Sequence, residues 1–182
     1  ETDHIPCGYS GICSNGKMLL LSTVCRKNGG DMIYTSTDSG ESWQIIMNGL
    51  EYSRFDWNIP YMKPRYNGGG NCVHWISDIK LSPFDSDTAL FNTGTGLFMI
   101  TGLASGDVLV KPFCEGIEET VHLNVYTTPH GRNRIIDIIG DLGGFAFKDY
   151  DSECENSFAN ENGDRYITCL NADLTLSDPE YI

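Results

Sequence analysis

Hydrophobic residues along this chain come in short runs, and within most runs they alternate with polar ones. The runs are MLLLSTV (18–24), DMIYTST (31–37), SWQIIM (42–47), SDIKLS (77–82), TALFNTG (88–94), LFMITG (97–102), TVHLNVYT (120–127), RIIDIIG (134–140), GFAFKDY (144–150) and RYITCLNA (165–172). Clusters of Gly, Asn, Asp and Ser separate them, and no stretch of a dozen residues carries a helical period. Alternating runs at about 8–12 residue spacing predict an all-β sandwich, barrel or propeller. Two stretches break the rhythm. Residues 51–74, with Pro60, Pro64 and three glycines at 68–70, predict a long ordered loop of the kind that carries function. Residues 149–164 are acidic and polar and predict a solvated loop.

Charge narrows the partners. The 182 residues hold 12 Lys plus Arg against 25 Asp plus Glu, a net charge of −13. Such a chain repels phosphate backbones and anionic membrane surfaces, so neither nucleic acid nor a membrane is expected as a partner and a neutral one fits better. No apolar run approaches the roughly 20 residues of a membrane span. The chain opens on Glu1 rather than Met, which predicts a processed chain, its signal peptide already removed, or a piece of a longer one. Seven cysteines are dispersed without a CxxC pair. Disulfides and an oxidising, extracellular compartment are expected, with the odd thiol free or joined to another chain. No metal site is predicted, because no His or Cys stands at zinc-ligand spacing and the Asp85–Asp87 cluster lacks the glycine and terminal glutamate of a calcium loop; it reads as a turn. No cofactor is expected either.

STDSGESW (36–43) matches the pattern SxDxGxxW, the Asp-box, which resembles the turn signature of sialidase-like and other β-propellers. The logic is local: Asp38 bonds turn amides, Gly40 supplies a left-handed conformation and Trp43 packs the turn against its blade. This is a folding device, since the carboxylate is occupied by its own turn.

Further motifs narrow the class. WISDIKLSPFDSDTALFNTGTGLF (75–98) resembles the "DPFNSDR…YGTG" stretch of glycoside hydrolase family 74, the xyloglucan-active endoglucanases built from two seven-bladed propellers. CEGIEETVHLNVYTTPHG (114–131) and RIIDIIGDLGGFAFKDYD (134–151) are similar to that family's "GIEETAVLDLISPPSG" and "GDIGGFxHxDLD", in the family's order, and NADLTLSDPEYI (171–182) resembles its "SIDFAELNP" continuation. The resemblance implies propeller blades, about two to three of them and incomplete as a closed propeller. Residues 1–60 would form a first-propeller blade with the Asp-box, and 61–182 a connecting loop and the start of the second propeller. It also implies that Asp141, the aspartate of "GDxGGF", is a catalytic carboxylate, the general acid of an inverting mechanism; the alternative is a turn-former. Residue chemistry agrees with the acid: Ile139 and Phe145 are apolar neighbours, and Gly143 and Gly144 let a polymer approach the backbone.

An inverting glycosidase needs a second carboxylate about 6.5–9.5 Å away. The family takes it from a "TDxGGAYRW" motif, which this chain lacks. Asp137 stands too far along a strand to be assumed as partner, and Glu118 and Glu119 read as a structural border of the cleft. Trp57, Tyr61 and Trp75 are candidate stacking platforms for a neutral glucan, with packing as the alternative; His74 reads as a loop histidine. Two functions follow. In one, the chain is part of a secreted xyloglucanase-like endo-β-1,4-glucanase whose companion chain or missing segment supplies the base. In the other, it is a non-catalytic extracellular module that binds carbohydrate or self-assembles into homo-oligomers through strand edges and the odd cysteine.

Overall fold

The computed structural model describes residues 7–26, 30–49, 54–57, 59, 73, 75–117, 120–154, 157–173, 175 and 177. Eleven strands fill three antiparallel sheets, and no α-helix occurs among the described residues. The first sheet is a meander of β1 (Gly8–Ser14), β2 (Leu19–Val24), β3 (Met32–Ser36) and β4 (Gln44–Asn48). The second is a meander of β5 (Asp78–Leu81), β6 (Ala89–Thr93), β7 (Gly96–Thr101) and β8 (Leu109–Pro112). The third has the order β11 (Gly143–Phe147), β10 (Ile135–Gly140), β9 (Val121–Thr127). Four-stranded meanders are the blade unit of a propeller, and nothing among the described strands closes these sheets into a ring.

The chain forms two compact units, residues 1–59 with 68–118, and residues 60–67 with 119–182. The first two sheets belong to the first unit. Period-2 patterning selects its core: Leu20, Ile33 and Met47 from the first sheet, and Ile79, Phe91, Phe98, Ile100 and Val110 from the second, are all buried. Phe91 and Phe98 face each other in the β6–β7 register and stack with centroids 5.2 Å apart. A buried aspartate ties the loops of this unit together. The Asp31 carboxylate accepts hydrogen bonds from Thr23 Oγ1 (3.3 Å), Arg26 N–H (3.0 Å) and Ile76 N–H (3.1 Å), while its backbone pairs with Val73 and Gly49. With this many donors the buried carboxylate costs far less than an unpaired charge would.

The turn between β3 and β4 has the expected local chemistry. Asp38 accepts from Ser36 Oγ (2.7 Å), Ser42 N–H (2.9 Å) and Ser42 Oγ (2.5 Å), Gly40 adopts φ 92°, and Trp43 Nε1 donates to the Gly40 carbonyl at 3.0 Å. The Ser42 hydroxyl, then the Ser42 amide and the Ser36 hydroxyl, hold the Asp38 carboxyl at about 2, below its ordinary 3.8. A folded value below the unfolded one means the turn's stabilising contribution is fully present above pH 3.8 and is lost as pH falls toward about 2. In an NMR titration, Asp38 should titrate near the bottom of that window, and Ser42→Ala should move it up toward 3.8; an unmoved midpoint would show that Ser42 is not the cause.

Every run predicted as a strand forms one except RYITCLNA, which makes only the isolated bridges Ala159–Arg165 and Gly143–Thr168. The polar stretch 149–164 is solvated at its ends but not throughout: Cys154 and Ser157 are buried, and Ser157 bridges Phe145. Most of the predicted loop 51–74 lies outside the described residues.

Candidate functional site

The third sheet places Asp141. Strands β10 and β11 form a hairpin whose last pair is Ile139–Gly143, so Gly140, Asp141 and Leu142 make the turn. Asp141 is exposed at its tip with φ 66°, a left-handed conformation that Asp tolerates better than most residues. Its amide donates to Thr168 Oγ1 at 3.0 Å, which fixes the backbone and leaves the carboxylate facing outward from buried Ile139, Leu142 and Phe145. Asp141 is therefore a turn residue by conformation, and its side chain is exposed to solvent.

The two glycines after it permit a close approach, and the chain's own segment makes it. Gly143 (φ 81°) donates its amide to the Ile167 carbonyl at 2.8 Å, and a Cβ there would lie 2.6 Å from the Tyr166 carbonyl oxygen. Gly144 (φ 155°) leaves no more room: a Cβ would lie 2.6 Å from the Asp137 carbonyl and 2.8 Å from the Phe158 ring. Both glycines are buried, and they shape the hairpin from beneath rather than present a surface to a polymer.

Asp137 is buried and paired. His122 Nδ1 lies 2.9 Å from its Oδ1 and 2.8 Å from its Oδ2, and His122 Nε2 lies 2.6 Å from Thr120 Oγ1. The imidazole is half exposed while the Asp137 side chain is 12% exposed. His122 was not singled out from the sequence. The signal that could have found it is an aspartate at an interior position of RIIDIIG, a charge that must find a partner on a neighbouring strand.

The aromatic candidates divide. Trp57 is buried and stacks on Phe55 with centroids 5.0 Å apart, so its ring is used in packing. Trp75 is 59% exposed, sits at φ 59°, and lies over Gly94, where a Cβ would come within 3.0 Å of its ring. Both tryptophans belong to the first unit, and Asp141 to the second. Tyr61, His74, Cys72, Glu118 and Glu119 lie outside the described residues. Asp85 and Asp87 serve turns, Asp85 accepting the Asp87 amide at 2.8 Å and Asp87 accepting the Gly102 and Ala104 amides at 3.1 and 2.7 Å. The thiols of Cys7, Cys13, Cys25 and Cys169 are free in this structure.

Sheets of this kind define the chain as all-β with propeller-type blades. No family model matches the chain. It is similar in fold to the glycoside hydrolase family 74 xyloglucanase from Xanthomonas campestris, with a TM-score of 0.70 and 22% identity over 88% of this chain and 22% of that one. In sequence it is similar to a xyloglucanase of Paenibacillus sp, 23% identical over 85% of this chain and 17% of the relative. It is also similar to an oligoxyloglucan-reducing end-specific xyloglucanase of Emericella nidulans, 24% identical over 80% of this chain and 22% of the relative. The chain thus resembles one segment of a family 74 xyloglucanase and spans about a fifth of the length of these relatives.

Proposed function

We propose that this chain is a xyloglucanase-like segment that carries the general acid of an inverting endo-β-1,4-glucan hydrolysis, with Asp141 donating a proton to the departing glycosidic oxygen. The observation that carries the reading is the GDLGGF hairpin, which holds an accessible carboxyl group on a backbone pinned from both sides, in a chain whose relatives are xyloglucanases. A net charge of −13 suits a neutral glycan. The reading includes secretion into an oxidising space, an Asp-box at Ser36–Trp43, a division between propellers near residue 60, and further propeller blades from a companion chain or segment. Purified protein incubated with xyloglucan, together with any companion chain that copurifies with it, should release reducing sugar; no release from the assembled protein would sink the hydrolase reading. A second reading, a non-catalytic carbohydrate-binding module, is favoured by Trp75, an indole 59% exposed, since the apolar face of a sugar ring packs on aromatic rings. Retention on a xyloglucan gel without any release of reducing ends would select it.

A further inference from the structure

We propose that Thr168 is a positioning residue for the general acid, its hydroxyl fixing the direction in which Asp141 presents its carboxyl group. This rests on the hydrolase reading and names the residue through which the rest of the second unit holds that carboxyl group in place.

The Asp141 turn gets little support from its own sheet. The β10–β11 ladder ends at Ile139–Gly143 and the β10–β9 ladder at Gly140–Val121, so the Asp141 amide lies outside both. Its hydrogen bond goes instead to a side chain, Thr168 Oγ1 at 3.0 Å. Two residues on, the Gly143 amide donates to the Ile167 carbonyl at 2.8 Å, and between them Leu142 is buried. The turn is thus held before Asp141 and after it. The Thr168 bond orients the amide plane of Asp141, and with φ at 66° that plane sets where the Cα–Cβ bond points.

The brace that delivers Thr168 is built locally. Phe158 donates its amide to the Gly144 carbonyl at 3.0 Å, its own carbonyl accepts the Tyr166 amide at 3.1 Å, and Ala159 bridges Arg165. Asn160 closes the reversal between them. Its Oδ1 accepts the amides of Asn162 and Asp164, each at 2.9 Å, and its Nδ2 donates to Asp164 Oδ2 at 3.1 Å. The returning segment runs so close to the turn that a Cβ on Gly143 would lie 2.6 Å from the Tyr166 carbonyl oxygen. One step past Ile167, Thr168 bridges Gly143 in the parallel sense and brings its side chain to the Asp141 amide. Valine would fill the same volume there, but only a hydroxyl can accept the amide proton.

Direction matters because proton donation is short-ranged. A general acid must come within about 2.6–3.2 Å of the oxygen it protonates, and a misplacement of about 1 Å can cost 10²-fold in rate. An exposed carboxyl group on a turn meets that requirement only if the backbone beneath it is fixed, and the Thr168 hydroxyl fixes the amide that the sheet leaves unpaired.

Thr168→Val keeps the shape of the side chain and removes the acceptor. In the protein assembled with any companion chain that copurifies, it should lose about 10–10²-fold in kcat on xyloglucan with KM unchanged. Thr168→Ser, which returns the hydroxyl, should recover most of that loss. Two further readouts separate positioning of the acid from support of the fold. On an aryl glucoside whose phenol leaves without acid help, Thr168→Val should lose far less than on xyloglucan. Added to Asp141→Asn it should cost nothing more, because its effect runs through the carboxyl group already removed. Thr168→Ala removes the same acceptor and is read in the same way if the valine variant does not fold. Wild-type kcat on xyloglucan without the hydroxyl overturns the assignment, and so does a loss that is equal on the aryl glucoside or adds to that of Asp141→Asn; each leaves Asp141 as the acid. A wild-type assembly that never cleaves xyloglucan overturns the hydrolase reading itself, and the positioning role with it.

Discussion

Asp141→Asn should lower turnover of xyloglucan by about 10²–10⁴-fold while leaving the fold unchanged. Asn is nearly isosteric, and it tolerates the left-handed conformation that this position requires at φ 66°. The amide bond to Thr168 Oγ1 involves only the backbone and survives the change. What is lost is a proton that a carboxylic acid can donate and a carboxamide cannot. Alanine would be the poorer test, since it would add backbone strain to the chemical loss. Substrate chemistry supplies a control: an aryl glucoside whose phenol leaves without help needs no acid, so the variant should recover on it most of what it loses on xyloglucan. The measurements are kcat on both substrates and a melting curve. Unchanged turnover on xyloglucan would leave Asp141 as a turn residue alone.

The hairpin that carries Asp141 was legible because its features are local. RIIDIIG reads as a strand through its β-branched residues, and an aspartate followed by Leu142 and a glycine pair reads as a reversal. Strand β1 was not legible. GYSGICS has weak β propensity, and it is held by pairing to β2 and by Gly11, where a Cβ would lie 2.7 Å from Asp78 Oδ1 and 2.8 Å from the Ile79 amide. Those are contacts with a strand far along the chain, which no local window contains. RYITCLNA failed the other way. Its alternation predicts a half-buried strand, yet Tyr166, Ile167 and Leu170 are 47%, 65% and 77% exposed, and the segment uses its backbone to cover Gly143 instead. An interior aspartate in RIIDIIG calls for a partner, but which residue supplies it was not legible: the register between Ile138 and Ile139 is bulged, and a bulge shifts which side chains meet across two strands.

Gly144→Ala should destabilise the second unit by roughly 2–5 kcal/mol, the sum of a strained backbone and an overpacked core. At φ 155° the residue sits where an L side chain rarely goes, and the added methyl would lie 2.6 Å from the Asp137 carbonyl oxygen and 2.8 Å from the Phe158 ring. A side-chain ring can rotate aside, but the carbonyl belongs to the neighbouring strand and cannot move without opening the ladder. Ile138 pairs with Gly144, so the opening would fall beside the residue that holds His122. Gly163→Ala provides the comparison: φ there is 82° and nothing lies within 4 Å of the new methyl, so only the conformational cost of about 1 kcal/mol applies. Denaturant midpoints of the two variants measure the difference. Equal shifts would mean that Gly144 is required only for its backbone angle, whereas a much larger shift at Gly144 shows that the hairpin under Asp141 is held by the close fit of Asp137 and Phe158 against a bare backbone.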